Sequence, residues 1–219
     1  MSKKIAIVDF KLGNLFSVKQ ACKVTGLDAT ITADKKIVQQ ADALILPGVG
    51  AFCEAMNNLK SFGLIEPIQN HVSDGKPLFG ICLGMQLLFT ESEEFGQCKG
   101  LDILKGKIIK FNRANGDPGG NGLKVPQIGW NRIYKENQTW SKTPFSSIDD
   151  GNYMYFVHSY FAVPDSREQV LSITRYGGNE YCSTVYTKKG IFATQFHPEK
   201  SGKKGLEIYR KWAEVNQLI

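Results

Sequence analysis

Two rhythms of apolar and polar positions divide the chain. In the first half, short runs of consecutive apolar residues alternate with stretches of helical spacing. Lys4 to Asp9 reads as a buried strand. From Asn14 to Thr25, the residues Leu15, Val18, Ala21 and Cys22 recur at the intervals of one helix face, and Gly26 stands where a helix stops. Ala43-Leu44-Ile45-Leu46 is a second buried strand, ended by Pro47-Gly48, and the segment Pro47 to Phe52 precedes a helix. Ile65 to Asp74 reads as a helix stopped by Gly75, and Leu78-Phe79-Gly80-Ile81 as a strand leading into Cys82. Strands that are apolar throughout are buried on both faces. Alternating with helices, they predict an α/β fold: a mostly parallel open sheet with helices on both faces.

After about residue 104 the rhythm changes. Lys107 to Phe111, Tyr153 to Phe161, Val170 to Tyr176, Tyr181 to Thr187 and Gly190 to Phe196 read as strands joined by turn residues, without helices between them. They predict an antiparallel section in the second half. A last helix is expected from Lys204 to Asn216, after Ser201-Gly202. The segment Arg113 to Gly122 is rich in Gly, Asn and Pro and reads as a surface excursion within a domain rather than a linker. The length of 219 residues suits one core, so residues 1–219 are expected to form a single domain.

Composition removes several classes of function. Apolar content of 42% and charged content of 22% are those of an ordinary globular protein. No stretch approaches the roughly 18 apolar residues of a membrane span, and Ile5 to Val8 is too short for an export signal. A soluble, cytoplasmic protein is expected. The five cysteines are scattered, odd in number and without a C-x-x-C pair, which argues against both a disulfide framework and a zinc site. The net charge of +6 raises the question of nucleic acid, but the lysines cluster only as doublets and no basic run carries interleaved stacking aromatics. A nucleic-acid partner is not expected.

The candidate chemistry begins at Gly80-Ile81-Cys82-Leu83-Gly84, a G-x-C-x-G pattern between a strand and a helix. Such an elbow pushes its central side chain out at the carboxyl end of a sheet, beside a helix N-terminus that favours thiolate, with the N–H of Leu83 turned toward a developing oxyanion. Read alone, the same five residues fit a cysteine merely buried at a strand end. A nucleophilic thiolate needs a proton carrier, and His197 follows a strand in Gln195-Phe196-His197-Pro198-Glu199. Pro198 breaks the ladder there, and Glu199 is placed to accept from the imidazole and fix its tautomer. By itself this is also an ordinary surface His-Pro turn. His158 lies on a half-buried strand, where a lone histidine is more often structural, and His71 on a helix is most simply solvated. Pro47-Gly48-Val49-Gly50 could cradle a phosphate, although it lacks the further glycine or Lys-Ser/Thr of such loops. The favoured use is an oxyanion loop presenting the Val49 N–H to the neighbouring strand.

Taken together, these residues resemble the triad-type (class I) glutamine amidotransferases. The resemblance runs from Ile5 to Gly26, through Pro47 to Phe52, Gly80 to Gln86, Lys124-Val125-Pro126 with Gly129-Trp130-Asn131, and Tyr155 to Tyr160, to Gln195 to Lys200. It implies a triad of Cys82, His197 and Glu199, with oxyanion donors at Val49 and Leu83. Gly50, Gln86, Glu94, Ser159 and Tyr160 would hold L-glutamine, and no metal or organic cofactor is implied. Within the family the blocks, Met85 included, are most similar to subunits that feed ammonia to a (βα)8-barrel cyclase of histidine biosynthesis. Subunits supplying amidino-sugar formation in surface polysaccharides are the nearer alternative. The more distant one is a cysteine hydrolase acting alone, in which the acid normally precedes the histidine along the chain, whereas Glu199 follows His197. Trp130 and Lys200 would then face the barrel partner in a heterodimer. Two departures stand out. Asp9-Phe10-Lys11-Leu12-Gly13 replaces the usual Asp-Tyr-Gly-Met-Gly, and Gln127 stands where many members have histidine.

Overall fold

The computed structural model describes residues 3–112, 123–136 and 139–219. The excursion from Arg113 to Gly122 lies outside the described residues. In chain order the elements are β1 (Ile5–Val8), α1 (Leu15–Val24), β2 (Ala29–Thr32), α2 (Lys35–Gln40), β3 (Ala43–Gly48), α3 (Phe52–Ser61), α4 (Ile65–Ser73), β4 (Leu78–Cys82) and α5 (Leu83–Leu87). The second half continues with β5 (Glu91–Ser92), β6 (Cys98–Lys99), β7 (Gly106–Lys110), β8 (Gln127–Arg132), β9 (Tyr134–Lys135), β10 (Tyr153–His158) and β11 (Tyr160–Pro164). Then come β12 (Val170–Tyr176), β13 (Asn179–Tyr186), β14 (Ile191–Thr194) and α6 (Gly202–Val215).

One large sheet runs in the order β2-β1-β3-β4-β14-β13-β11-β7-β5-β6, with β12 and β9 branching from β13. Its first five strands are all parallel, and antiparallel pairing begins at β13. Strand alternation shows why this half is apolar throughout. Ile5 and Ile7 of β1 pack into a cluster with Val18 and Cys22 of α1 and Trp212 of α6. The intervening Ala6 and Val8 face a second cluster with Val38, Phe52, Leu59 and Ile68 of α2, α3 and α4. Helices therefore cover both faces, as the sequence predicts. The α1 boundaries also follow local chemistry: the Asn14 side chain accepts from Ser17 N, and Gly26 takes a left-handed φ of 83° just past the end.

Two assignments are corrected. Tyr153 to Phe161 is not one strand. It breaks at Ser159, so that β10 pairs with β8 in a separate two-stranded sheet while β11 joins the main sheet beside β7. The unbroken run of aromatic and β-branched residues hides this break because the change of sheet is a tertiary event. The last strand, β14, does not belong to the antiparallel section alone. It lies parallel to β4 on one side and antiparallel to β13 on the other, and so joins the two halves. Among the described residues no helix is long and apolar enough to cross a membrane.

Candidate active site

The three central strands converge on one point. In their parallel registers Gly48 pairs with Cys82, and Thr194 pairs with Ile81. The segments that follow β3, β4 and β14 therefore leave the sheet side by side, which brings Val49, Leu83 and His197 together from far apart in sequence. Cys82 itself has φ 54° and ψ −110°, a conformation costly for any side chain. Packing imposes the turn. A Cβ on Gly84 would collide with the carbonyl oxygen of Leu46, and one on Gly80 would lie 2.9 Å from the Ala193 Cβ. The helix that leaves the elbow, α5, is only five residues long. Its dipole is correspondingly small, so stabilisation of a thiolate falls to neighbouring side chains rather than to a helix end.

His197 is held on all sides. Its backbone N–H donates to Tyr155 O at 2.9 Å, and its carbonyl accepts from Ser201 Oγ at 2.6 Å. Nδ1 lies 2.8 Å from Glu199 Oε1, with both side chains buried. A carboxylate can only accept, so Nδ1 carries the proton and Nε2 is left for Cys82. Burial pushes the imidazole pKa down. The charge of Cys82 as thiolate, with that of Glu199, more than reverses this and raises it to about 10. Nε2 has no well-formed hydrogen bond among the described residues, so its link to Cys82 is chiefly one of charge.

A cavity of about 420 Å³ opens above Cys82, lined by Val49, Gly50, Leu83, Gln86, Glu94, Ser159, Tyr160 and Lys200, with Pro126, Val157 and His158. Other depressions, near Lys4 and Ala41 and near Asp74 and Lys188, lie at the amino ends of the parallel strands, away from the elbow. Glu94 turns one carboxylate oxygen to the N–H of Phe52 at 2.7 Å, fixing the start of α3 just beyond Val49-Gly50. The Tyr160 carbonyl accepts from Gln86 Nε2 at 2.9 Å and from His158 Nδ1 at 2.8 Å. His158 is a buried neutral group: burial lowers its pKa to about 3, and the charge on His197 acts in the same direction.

Residues 6–214 match the family described as "Glutamine amidotransferase class-I". The chain belongs to this family. Relatives described as "Imidazole glycerol phosphate synthase subunit HisH" are similar end to end. That of Geobacter sulfurreducens is 43% identical over 97% of this chain and 99% of its own length. The relative from Caldanaerobacter subterraneus subsp. tengcongensis is 44% identical over 98% and 100%, and that from Aquifex aeolicus 41% over 94% and 93%. Among solved structures, one described as a glutamine amidotransferase aligns with a TM-score of 0.71 at 20% identity, covering 97% of this chain and 98% of that one. PurLQS from Thermotoga maritima aligns at 0.69 and 19%, covering 99% and 98%. Both share the fold.

Within this family member, the remaining candidates are placed as follows. Trp130 lies outside the cavity on β8, 55% exposed, with its ring edge-on to Tyr155 at 6.1 Å. Lys200 Nζ sits 6.0 Å from the same Tyr155 ring, so the two are linked through one aromatic at the mouth. Gln127 is buried and accepts from the Tyr181 hydroxyl at 2.9 Å, which in turn lies 3.3 Å from His158 Nε2. This departure from the family pattern is thus an interior one. His71 is not solvated: it is buried, with Nε2 3.0 Å from Pro77 O. Its position three residues after Ile68 on the buried face of α4 is the missed signal. The sequence reading also passed over Gln195, which is fully buried with its amide against the Cys82 sulfur. In extended chain residues 195 and 197 share a face, and that spacing could have found it.

Proposed function

We propose that this chain is the glutamine-hydrolysing subunit of imidazole glycerol phosphate synthase, a cytoplasmic enzyme of histidine biosynthesis, folded as one amidotransferase domain. The observation that carries the chemistry is the coupling of Cys82, which lines the cavity, to the buried His197–Glu199 pair behind it. The end-to-end similarity to the relatives above carries the pathway. In this reading the Cys82 thiolate attacks the side-chain amide carbon of L-glutamine. The N–H groups of Val49 and Leu83 receive the oxyanion, and Gly50, Gln86, Glu94, Ser159 and Tyr160 hold the substrate. The imidazolium of His197 protonates the departing ammonia, since expulsion of an amide anion would be prohibitive. Water, deprotonated by the same imidazole, then cleaves the thioester to glutamate. Glu199 keeps the ring in the required tautomer.

Ammonia released into neutral water is largely protonated and lost as a nucleophile, so the product is best consumed by a docked synthase. The proposed partner is a (βα)8-barrel cyclase forming a heterodimer across Trp130 and Lys200. The test uses the reconstituted complex with Cys82→Ala. Glutamine-dependent synthesis should vanish while synthesis fed by ammonium salt at high pH persists. Near-normal glutaminase activity in that variant would remove Cys82, and the reading with it.

A further inference from the structure

Resting on the reading of Cys82 as the nucleophile, we propose that Gln195 holds the Cys82 sulfur as thiolate by giving it an amide N–H. The Tyr160 carbonyl, acting through Gln86, sets the direction of that amide. The chain of contacts is continuous: Gln86 Nε2 donates to Tyr160 O at 2.9 Å and to Gln195 Oε1 at 3.0 Å, and Gln195 Nε2 reaches Cys82 Sγ at 3.7 Å. Its polarity follows from chemistry alone. A backbone carbonyl can only accept, so the end of Gln86 that faces Tyr160 is its NH₂. The second hydrogen of that group points to Gln195, whose facing atom must therefore be oxygen. The opposite end of Gln195 is then NH₂, and it faces the sulfur.

A thiol sulfur is a weak acceptor, and a fully buried amide N–H spent on one would be nearly unpaired. A thiolate makes the same contact a charge-assisted hydrogen bond. The five-residue α5 offers little dipole, which leaves side chains to set the charge state. The other ionisable groups facing this sulfur are His197 with Glu199 behind it, neutral His158, and Glu94, Tyr160 and Lys200 on the cavity wall. None of them is altered by a substitution at Gln195, so a change seen there isolates the amide.

The experiment follows alkylation of Cys82 by iodoacetamide in the full chain from pH 5 to pH 10, read by mass spectrometry on the Cys82 peptide. Gln195→Leu should raise the pH midpoint by about one to two units, the size of a hydrogen bond to a charged group. Gln86→Met never touches the sulfur and adds no charge, yet it too should raise the midpoint. Its thioether cannot donate to Gln195 Oε1, so the Gln195 amide is free to turn away from Sγ. The double variant should show the Gln195→Leu shift with nothing added, because both act on one contact. Should Gln195→Leu not fold, the uncharged, similarly shaped Gln195→Met replaces it, with the same expected direction. A folded Gln195 variant with the wild-type midpoint overturns the proposal. So does a Gln86→Met midpoint that stays put while the Gln195 variants move, since the relay would then be absent. A wild-type Cys82 that reacts no faster than Cys53 overturns the nucleophile assignment as well, which separates the two failures.

Discussion

The elbow end of the parallel sheet and the β8–β10 arm lie against each other at the cavity, and they are built by opposite rules. Around the elbow every strand is buried on both faces, and Gly80 and Gly84 leave no room for a single added carbon. The arm closes only one face. Met154, Phe156 and His158 point inward, whereas Ile128, Trp130 and Tyr153 stand more than half exposed on the other side. A two-stranded ribbon with an uncovered aromatic face is marginal alone. The contrast separates two tasks. Strain at Cys82 persists only where packing over-determines it, and the proposed chemistry sits there. The proposed docking falls to the arm, where apolar surface remains uncovered.

The sharpest way to break the comparison is to enlarge the elbow. Gly84→Ala drives a methyl into the Leu46 carbonyl, a backbone atom that cannot swing aside. We expect a loss of more than about 3 kcal/mol, beyond the usual range for overpacking a flexible neighbour. Urea unfolding measures it. A loss under about 1 kcal/mol would mean that the elbow yields, and that its glycines are not imposed by packing.

The two histidines at the boundary sharpen the comparison through pH. His158 ends the arm strand β10, and His197 follows β14 of the parallel half. Unfolded, both titrate near 6.5. Folded, His158 stays neutral down to about 3, and burial lowers His71 as well. Below about pH 6.5 the unfolded chain therefore binds more protons, and stability falls with pH by up to about 1.4 kcal/mol per unit for each such group. His197 has the opposite sign. Raised to about 10, its contribution is complete below about 6.5 and fades as pH climbs toward 10. Nitrogen NMR of the rings should show His197 charged and His158 neutral at pH 7. Finding both in the same charge state would erase the distinction drawn here.

The arm is tested from its open face. Trp130→Ala should leave the stability of the free chain within about 0.5 kcal/mol, because the exposed ring touches mainly Tyr155. Affinity for the barrel partner should fall by about 2 kcal/mol, roughly thirtyfold, as for a buried aromatic anchor. Calorimetry with the purified synthase reads both. An unchanged affinity together with a destabilised chain would make Trp130 a structural residue and move the docking face elsewhere.

The same division governs what could be read from the sequence. The parallel half was legible because burial on both faces writes itself as unbroken apolar runs, and because strand, G-x-C-x-G and helix follow directly in the chain. His197 and Glu199 were legible from Pro198 and their spacing, but not the reason they reach Cys82. That reason is the parallel pairing of β14 with β4, which no local pattern encodes. The arm was the least legible part. In β8 the apolar residues Ile128 and Trp130 face outward, so its pattern gives no core-facing alternation. The break at Ser159 is set by the sheets on either side of it. Gln195 escaped notice because a glutamine inside an apolar run looks like a strand residue awaiting a partner, and its partners come from positions 86 and 82.

The smallest effect is expected at Lys11, where the chain departs from the glycine usual in the family at a place that supports the elbow's neighbour. Phe10 packs under Gly48, and Leu12 lies against Gly50, so this loop underlies the Val49 segment. Lys11 has φ 68°, a left-handed conformation that costs a side-chain-bearing residue about 1–2 kcal/mol. Lys11→Gly removes that strain but adds about 0.5–1 kcal/mol of chain entropy to the unfolded state. It also deletes the 2.8 Å ion pair from Lys11 Nζ to Asp9, whose lysine is largely exposed and whose worth is therefore at most about 1 kcal/mol. The backbone bond from Lys11 N to Asp9 Oδ1, also 2.8 Å, survives the change. These contributions nearly cancel, and the net change should lie within about 1 kcal/mol of zero in urea unfolding. The loop should keep its shape, because the backbone bond and the buried Phe10 ring hold it without the lysine head group. A loss well beyond about 1 kcal/mol would show that the ion pair, not the backbone, sets this turn. The elbow region would then depend on an exposed charge, contrary to the rule by which the rest of it is built.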